Sequence, residues 1–266
     1  GFQLDRRCGS GVQAVATAAM MVETGMADMV VAGGVESMSN VEHYTLQGRG
    51  GARMGDITLH DRLSRGRVRS QPIERFGVIT GMIETAENLA KDYSITREKA
   101  DEYAVRSHRN AAAAWEEGRF DAQLVPVEVP QRKGDPVTFA RDEGFRADAS
   151  METLGKLRPI DGRRDSEAIV TAGNASQQND AAAACLVVAE DKLAEFGLEP
   201  ALWFGGWAAA GCDPARMGIG PVPAVERLFA RAGYSWDDIG LVELNEAFAP
   251  QVLAVLKGWG WSEDDS

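Results

Sequence analysis

Cysteine and histidine are scarce in this sequence, which has three of each among 266 residues. The cysteines are Cys8, Cys185 and Cys212, an odd and widely spaced set without a C-x-x-C pair. Neither a disulfide framework nor a zinc site is therefore indicated. The histidines are not at ligand spacing, so we predict no metal site. This cysteine usage fits a reducing compartment, and we expect a cytoplasmic protein.

Long apolar runs are also missing, so the sequence predicts no membrane-spanning segment and no signal segment. The net charge of −12 at pH 7 argues against a general nucleic-acid binder. What the chain does have is 44% hydrophobic and 26% charged residues. That composition is enough to bury a core in one large domain or two modest ones.

Arginine is concentrated in one polar segment. Its members are Arg49, Arg53, Arg62, Arg65, Arg67, Arg69 and Arg75. We expect this segment to be loop. A phosphate-bearing ligand could use such a patch, but a solvated or subunit-contacting loop would show the same pattern, and the sequence leaves both interpretations open.

Cys8 stands where a polar turn runs into a helix of small and apolar residues that ends near Thr24 and Gly25. We expect that helix to be buried. Unpaired N–H groups at a helix N-terminus favour an anion, so the Cys8 thiolate should be accessible, and Gly9 and Gly11 leave room for a substrate. The alternative is that Cys8 is an inert small hydrophobic residue.

The rest of the chain predicts α/β architecture interrupted by a mixed polar region. Residues 29–34 are uniformly apolar, which is typical of a central strand covered on both faces. In the polar region we predict helices over 82–93 and 96–115, the second with Thr96 as its N-cap, and a hairpin around 131–135.

After residue 165 the α/β pattern returns. Strands are predicted at 168–171, 202–209 and 241–244, together with an apolar strand that makes Cys185 a core residue. The predicted helices cover 181–184, 223–232 and 250–259. Asn245 directly follows the last strand; its amide could fix a water or a carbonyl oxygen, or it could simply cap a turn or helix.

Taken together, the motifs of this chain resemble those of the thiolases, the acetyl-CoA C-acyltransferases. The resemblance is carried, in order and over nearly the whole chain, by Asp5-Arg6-Arg7-Cys8-Gly9-Ser10-Gly11, Val31-Ala32-Gly33-Gly34-Val35-Glu36-Ser37-Met38-Ser39, Thr85-Ala86-Glu87-Asn88, Lys156-Leu157-Arg158-Pro159, Thr171-Ala172-Gly173-Asn174-Ala175-Ser176, Gly218-Ile219-Gly220-Pro221 and Asn245-Glu246-Ala247-Phe248. Any one motif is weak, whereas the ordered series is strong.

The resemblance implies an α/β thiolase fold of two similar halves packed around central helices, with an inserted loop domain. Residues 1–39 would belong to the N-terminal half, 40–165 to the loop domain and 166–266 to the C-terminal half. Thiolases are dimers or tetramers, so a homodimer or homotetramer is expected.

The resemblance also implies the chemistry. The Cys8 thiolate would take an acyl group from a coenzyme A thioester, and a second coenzyme A species would resolve the thioester. Asn245 would hold the water of an oxyanion hole for the incoming thioester. Arg158 would contact the adenine end of coenzyme A and Ser176 its pantetheine arm. The remaining pocket-lining positions would be Met82, Ala175, Met217, Ala247 and Phe248. Coenzyme A thioesters would be the substrates, with no tightly bound cofactor and no nucleic-acid partner.

The chain departs from the family pattern in several places. It lacks the Gly-His-Pro and Cys-x-Gly segments with which thiolases activate the nucleophile and move protons, so we expect an internal piece of a longer thiolase. Gly81 stands where short-chain biosynthetic thiolases often carry a His, and Asp5 replaces the common Asn before the nucleophile, which leaves the acyl chain length open. Two alternatives remain: a ketosynthase-like condensing enzyme, and a non-catalytic thiolase-like protein that binds acyl-CoA or lipid.

Overall fold

A computed structural model describes residues 1–262 of the chain. The described residues divide into two units, and each is built from separate stretches of sequence. Unit 1 contains residues 1–70, 178–211 and 223–241, and unit 2 contains residues 71–177, 212–222 and 242–262. This division does not test the predicted boundaries at 39 and 165, which stay a prediction.

The α-helices of the described chain are α1 (Ser10–Glu23), α2 (Arg62–Val68), α3 (Ile73–Phe76), α4 (Met82–Asp92), α5 (Arg97–Glu116), α6 (Met151–Gly155), α7 (Leu193–Phe196), α8 (Pro221–Ala232) and α9 (Ala249–Trp259). Its strands are β1 (Met29–Ser37), β2 (His43–Tyr44), β3 (His60–Asp61), β4 (Val127–Val129), β5 (Val137–Phe139) and β6 (Asp180–Val188). Within residues 1–262, no helix is both long and apolar enough to cross a membrane.

Unit 1 is centred on β1 and β6, which pair antiparallel from Met29↔Val188 to Ser37↔Asp180. Helix α1 packs on this pair. Its start and end agree with the sequence prediction, because Thr24 is the C-cap and Gly25 follows with a φ of 70°.

Two expectations about burial in unit 1 are wrong. Strand β1 has β6 as its single partner among residues 1–262 and is not central. Because side chains alternate along a strand, Ala32 is buried while Val31 and Val35, on the opposite face, are 70% and 81% exposed. Helix α1 likewise buries only a stripe of alanines, and Val12 is 73% exposed.

Several local predictions in unit 1 are also wrong. Residues 181–184 belong to β6 and not to a helix, because their backbone groups pair with β1. Cys185, in the same strand, is exposed and not a core residue. Residues 202–209 form no ladder and are not a strand. The arginine-rich segment is not all loop, because Asp61 caps α2 by accepting hydrogen bonds from the Leu63 and Ser64 N–H groups.

Unit 2 is a helical assembly in which α9 packs against α4 and α5. The first eight residues of α9 are all buried. The predicted helices α4 and α5 are confirmed, as is the Thr96 N-cap, whose side chain accepts from the Lys99 N–H group. The hairpin β4–β5 is confirmed as well. Residues 168–171 and 241–244, predicted as strands, have no ladder partner in the described chain and run as irregular backbone.

Candidate active site

Cys8 lies exposed in a short 3₁₀ turn, Arg7–Gly9, directly before α1. The chain enters this turn through Arg7, a non-glycine residue with a φ of 51°. That left-handed conformation is uncommon and is maintained by local hydrogen bonds: the Arg7 N–H donates to Asp5 Oδ1 at 2.8 Å and Ser10 Oγ donates to the Arg7 carbonyl at 2.7 Å. The turn therefore presents Cys8 to solvent at the N-terminus of a 14-residue helix.

The surroundings of Cys8 suit a thiolate nucleophile. Within residues 1–262 the Cys8 N–H has no protein acceptor, whereas the next amide, that of Gly9, donates to the Arg6 carbonyl at 3.1 Å. The positive end of the α1 dipole favours negative charge at this point. An exposed thiol beside a free N–H group can attack a carbonyl carbon and stabilise the oxyanion that forms.

The other predicted site residues all belong to unit 2, and four of them pack together. Met82, Ala175, Ala247 and Phe248 lie around the buried side chains of Ala86 and Val170. Met82 is the first residue of α4 and half-buried. The cluster forms an apolar surface of the kind that an acyl chain or a pantetheine arm would contact.

Backbone hydrogen bonds hold the segment 245–249 against the segment 174–176. Ala175 pairs with Phe248 in an isolated antiparallel bridge. The Ser176 N–H donates to the Ala247 carbonyl at 3.0 Å, and the Ala249 N–H donates to the Asn174 carbonyl at 2.9 Å. The sequence motifs that contain Ser176 and Asn245 are thus neighbours in space although they are far apart along the chain.

The remaining predicted site residues lie outside this cluster and are more exposed. Arg158 and Asn245 are exposed, and Met217, 36% exposed, lies in a 3₁₀ helix spanning Pro214–Ile219 outside the cluster. Asn245 is neither at a strand end nor the N-cap of α9, which is Phe248. Ser176 caps no helix, because residues 177–179 lead directly into β6.

A cleft of about 190 Å³ lies beside the joined segments. Its lining includes Tyr103, Ser107, His108, Phe145, Ser176 and Glu246. At one wall, Tyr103 Oη donates to Glu246 Oε1 at 2.5 Å and Ser107 Oγ donates to Glu246 Oε2 at 2.6 Å. Burial, together with the Glu246 carboxylate, raises the pKa of Tyr103 above its ordinary value, so this hydroxyl stays protonated and donates.

Sequence analysis did not identify a set of buried polar residues whose hydrogen bonds fix the segment around Asn174. Asn174 accepts from the Thr171 N–H at 2.8 Å and donates to Asp101 Oδ1 at 2.8 Å. Asp101, only 2% exposed, also accepts from Arg97 Nε at 2.7 Å. The sequence did indicate that Asp101 is buried, because it lies between Ala100 and Ala104 on the buried stripe of α5.

Among the described residues there is no group of three or more His, Cys, Asp or Glu side chains that could hold a metal ion. Burial, together with the nearby Asp213, raises the pKa of the Cys212 thiol. A raised pKa disfavours the thiolate, so Cys212 is a poor nucleophile.

The sequence of the chain matches two models of one protein family and is similar to curated proteins. Residues 2–191 match the family model "Thiolase, N-terminal domain" and residues 198–265 match "Thiolase, C-terminal domain". Acetyl-CoA acetyltransferase of Chromobacterium violaceum is 45% identical over 258 residues, which cover 97% of this chain and 64% of that protein. The chain therefore spans about two thirds of the length of this curated relative.

Solved structures agree with the sequence matches. The acetyl-CoA acetyltransferase of Bacillus anthracis superposes with a TM-score of 0.89 at 41% identity, covering 99% of this chain and 64% of that one. Human mitochondrial 3-ketoacyl-CoA thiolase in complex with CoA superposes with a TM-score of 0.86 at 36% identity, covering 97% of this chain and 62% of that one. These likenesses confirm the predicted α/β fold of the thiolase type.

Proposed function

Because the chain belongs to the thiolase family, we propose that it carries the nucleophile and the coenzyme A contacts of an acyltransferase. The reaction is transfer of an acyl group between coenzyme A thioesters, either as thiolysis of a 3-ketoacyl-CoA or as formation of acetoacetyl-CoA. The observation that carries the proposal is Cys8, exposed with a free N–H group at the start of α1, in the motif that resembles the thiolase nucleophile.

In the first half-reaction, the Cys8 thiolate attacks the C3 carbonyl of a 3-ketoacyl-CoA. A bond forms between sulfur and C3, the C2–C3 bond breaks, and acetyl-CoA leaves after its enolate takes up a proton. In the second half-reaction, the thiolate of free coenzyme A attacks the acyl-Cys8 carbonyl and releases a shortened acyl-CoA with regeneration of Cys8. Two thioester exchanges replace one difficult step, and ping-pong kinetics follow.

The residues of unit 2 supply recognition in this proposal. Asn245 holds the water that stabilises the enolate, and the cluster of Met82, Ala175, Ala247 and Phe248 contacts the acyl and pantetheine groups. Ser176 Oγ binds the pantetheine arm, and the exposed Arg158 guanidinium binds the adenine end. Met217 completes the pocket. The comparisons offer nothing in favour of a non-catalytic binding protein.

The whole protein is proposed to work in the cytoplasm as a homodimer or homotetramer, with breakdown of fatty acyl chains as one role. Light scattering coupled to size-exclusion chromatography tests the assembly. Because the chain spans 64% of its relative, experiments use the parent chain, meaning the longest natural chain that contains these 266 residues.

The deciding experiment is acylation of Cys8. The parent chain is mixed with acetyl-CoA and examined by intact-protein mass spectrometry, beside the variants Cys8→Ala and Cys185→Ala. Cys185 is a matched control because it is also an exposed cysteine. We expect an acetyl adduct on the wild type and on Cys185→Ala that is lost in Cys8→Ala. A folded parent chain without an adduct across several acyl lengths would refute the proposal.

A further inference from the structure

We infer that Glu246 is a positioning residue, which holds the segment carrying Asn245 in place for the half-reaction that passes through the enolate. The inference rests on the proposed function, and it deepens it by naming three side chains to which the resemblance assigns no role. These are Glu246 itself and its two hydroxyl donors on α5, Tyr103 and Ser107.

The first argument is the geometry of the carboxylate. Each of its oxygens accepts one hydroxyl proton, from Tyr103 Oη at 2.5 Å and from Ser107 Oγ at 2.6 Å. The two donors are one turn apart on α5, so they present their hydroxyl groups on the same face of a 20-residue helix. A carboxylate held at both oxygens by a helix has little freedom to rotate, and its backbone is fixed with it.

The second argument is that Asn245 has no anchor of its own. Its side chain is exposed, and across residues 1–262 it makes no hydrogen bond to protein. The segment after it is fixed by backbone hydrogen bonds from the Ser176 N–H to the Ala247 carbonyl and from the Ala249 N–H to the Asn174 carbonyl. Glu246 is therefore the side chain that ties the adjoining residue to the helical framework, immediately next to Asn245.

The third argument is that Glu246 positions its neighbour and does not act as an acid or a base. Both Glu246 oxygens serve as acceptors for hydroxyl protons, and the pKa of Tyr103 is raised by burial and by this carboxylate. The protons therefore stay on the two donors, and the network holds a fixed charge distribution at the wall of the cleft that Ser176 also lines. We infer a role through Asn245 and not through direct contact with the reacting atoms.

The test compares Glu246→Gln with Glu243→Gln in the parent chain. Glu243 is a matched control because it is an exposed glutamate in the same segment, without a hydrogen bond in the described chain. Acetylation of Cys8 by acetyl-CoA reports the thioester exchange, which forms no enolate. Transfer of the acetyl group from Cys8 to a second acetyl-CoA reports the step that uses Asn245. Hydrogen–deuterium exchange of residues 245–249 reports the order of the segment.

In Glu246→Gln we expect Cys8 acetylation within about twofold of wild type, acetyl transfer slowed about tenfold with KM little changed, and faster exchange over residues 245–249. Glu243→Gln should match wild type in all three. Tyr103→Phe and Ser107→Ala should each slow transfer partially, and they carry the test if Glu246→Gln does not fold. Equal loss of Cys8 acetylation and of acetyl transfer in Glu246→Gln, or behaviour like the control, would overturn the inference. Acetylation of Cys8 in the wild-type chain would still support the proposed function. A wild-type chain that forms no adduct refutes the proposed function, and this inference with it.

Discussion

Glu87 and Val170 are joined across 83 residues by a hydrogen bond of 2.8 Å from the Val170 N–H to Glu87 Oε1. The same carboxylate also accepts from the Ile169 N–H at 3.0 Å, and Glu87 is only 5% exposed. A side chain on α4 thus replaces the strand partner that residues 168–171 do not have, and it holds Val170 in the cluster beside Phe248.

Replacing Glu87 by Ala should lower the free energy of unfolding by roughly 3 kcal/mol, because two backbone N–H groups lose a charged acceptor inside the protein. Glu87→Gln should cost less, since its amide oxygen can still accept one of these bonds. Urea denaturation followed by circular dichroism measures both. An alanine variant as stable as wild type would contradict this assignment.

The close pairing of β1 with β6 predicts different effects on stability for alanine at two adjacent glycines, Gly33 and Gly34. A Cβ added at Gly33 would lie 2.5 Å from the Ala183 carbonyl oxygen, whereas one added at Gly34 would meet nothing within 4 Å. Gly33→Ala should therefore destabilise the protein by about 1 to 3 kcal/mol. Gly34→Ala should be neutral or stabilising by up to about 1 kcal/mol, because it restricts the unfolded chain. Thermal denaturation of the two variants side by side tests the register.

Asp180 should make stability depend on pH at the acid end. Hydrogen bonds from Ser39, including one from its N–H at 2.9 Å, hold the pKa of Asp180 below its ordinary value. A lowered pKa in the folded state gives stability that is full above the unfolded pKa of about 3.9 and is lost as the pH falls through the folded value.

The variant Asp180→Ala should therefore unfold at lower urea than wild type at pH 7, and the difference should shrink as the pH falls below about 4. Asp28→Ala is the control, because Asp28 is exposed and its side chain has no hydrogen bond in the described residues. A difference that stays constant from pH 7 to acid would show that the charge of Asp180 is not responsible.

Tyr103 should titrate above the ordinary range of a tyrosine hydroxyl. Burial is the larger cause of its raised pKa and Glu246 the next. Because the pKa is raised in the folded state, the stability it contributes is present below the unfolded value of about 10 and is lost as the pH rises through the folded value. Absorbance at the tyrosinate band, with Tyr103→Phe to identify the signal, measures the titration. Glu246→Gln should lower this pKa, and an unchanged titration would argue against the contact.

Arg158 gives a prediction about binding. If its guanidinium holds the adenine end of coenzyme A, Arg158→Ala should weaken coenzyme A binding about tenfold, the range expected for loss of one charge-assisted contact. Lys156→Ala is the control, because Lys156 is a nearby exposed cation already paired with Glu152 at 2.7 Å. Isothermal titration calorimetry with the parent chain distinguishes the two. Equal affinities would remove Arg158 from the site.

Sequence analysis was correct for helix ends and turns, which depend on residues close together in the chain. Gly25 ends α1, Thr96 starts α5 and a polar turn joins β4 to β5, as predicted, because caps and turns are decided by residues within a few positions of one another. The motif series also identified the family, and four of the residues it nominated lie in one cluster.

Predictions failed where the partner is distant in sequence. Residues 202–209 and 241–244 have the apolar pattern of strands, but a strand also needs a ladder partner, and periodicity contains no information about that partner. Residues 181–184 have the small side chains that favour a helix, but they form part of β6 because they pair with β1. The hydrogen bonds from the Val170 N–H to Glu87 and from Tyr103 to Glu246 are likewise long-range and left no local signal.

The order in which the chain is synthesised has a consequence for unit 2. Its core depends on α9, whose first eight residues are buried against helices that emerge from the ribosome more than a hundred residues earlier. Until α9 is made, the cluster around Leu89 and Ala90 of α4 lacks Val252, Leu253, Ala254 and Leu256, and its apolar side chains are exposed to chaperones and to other nascent chains. Translation pausing between residues 116 and 249 should therefore favour aggregation.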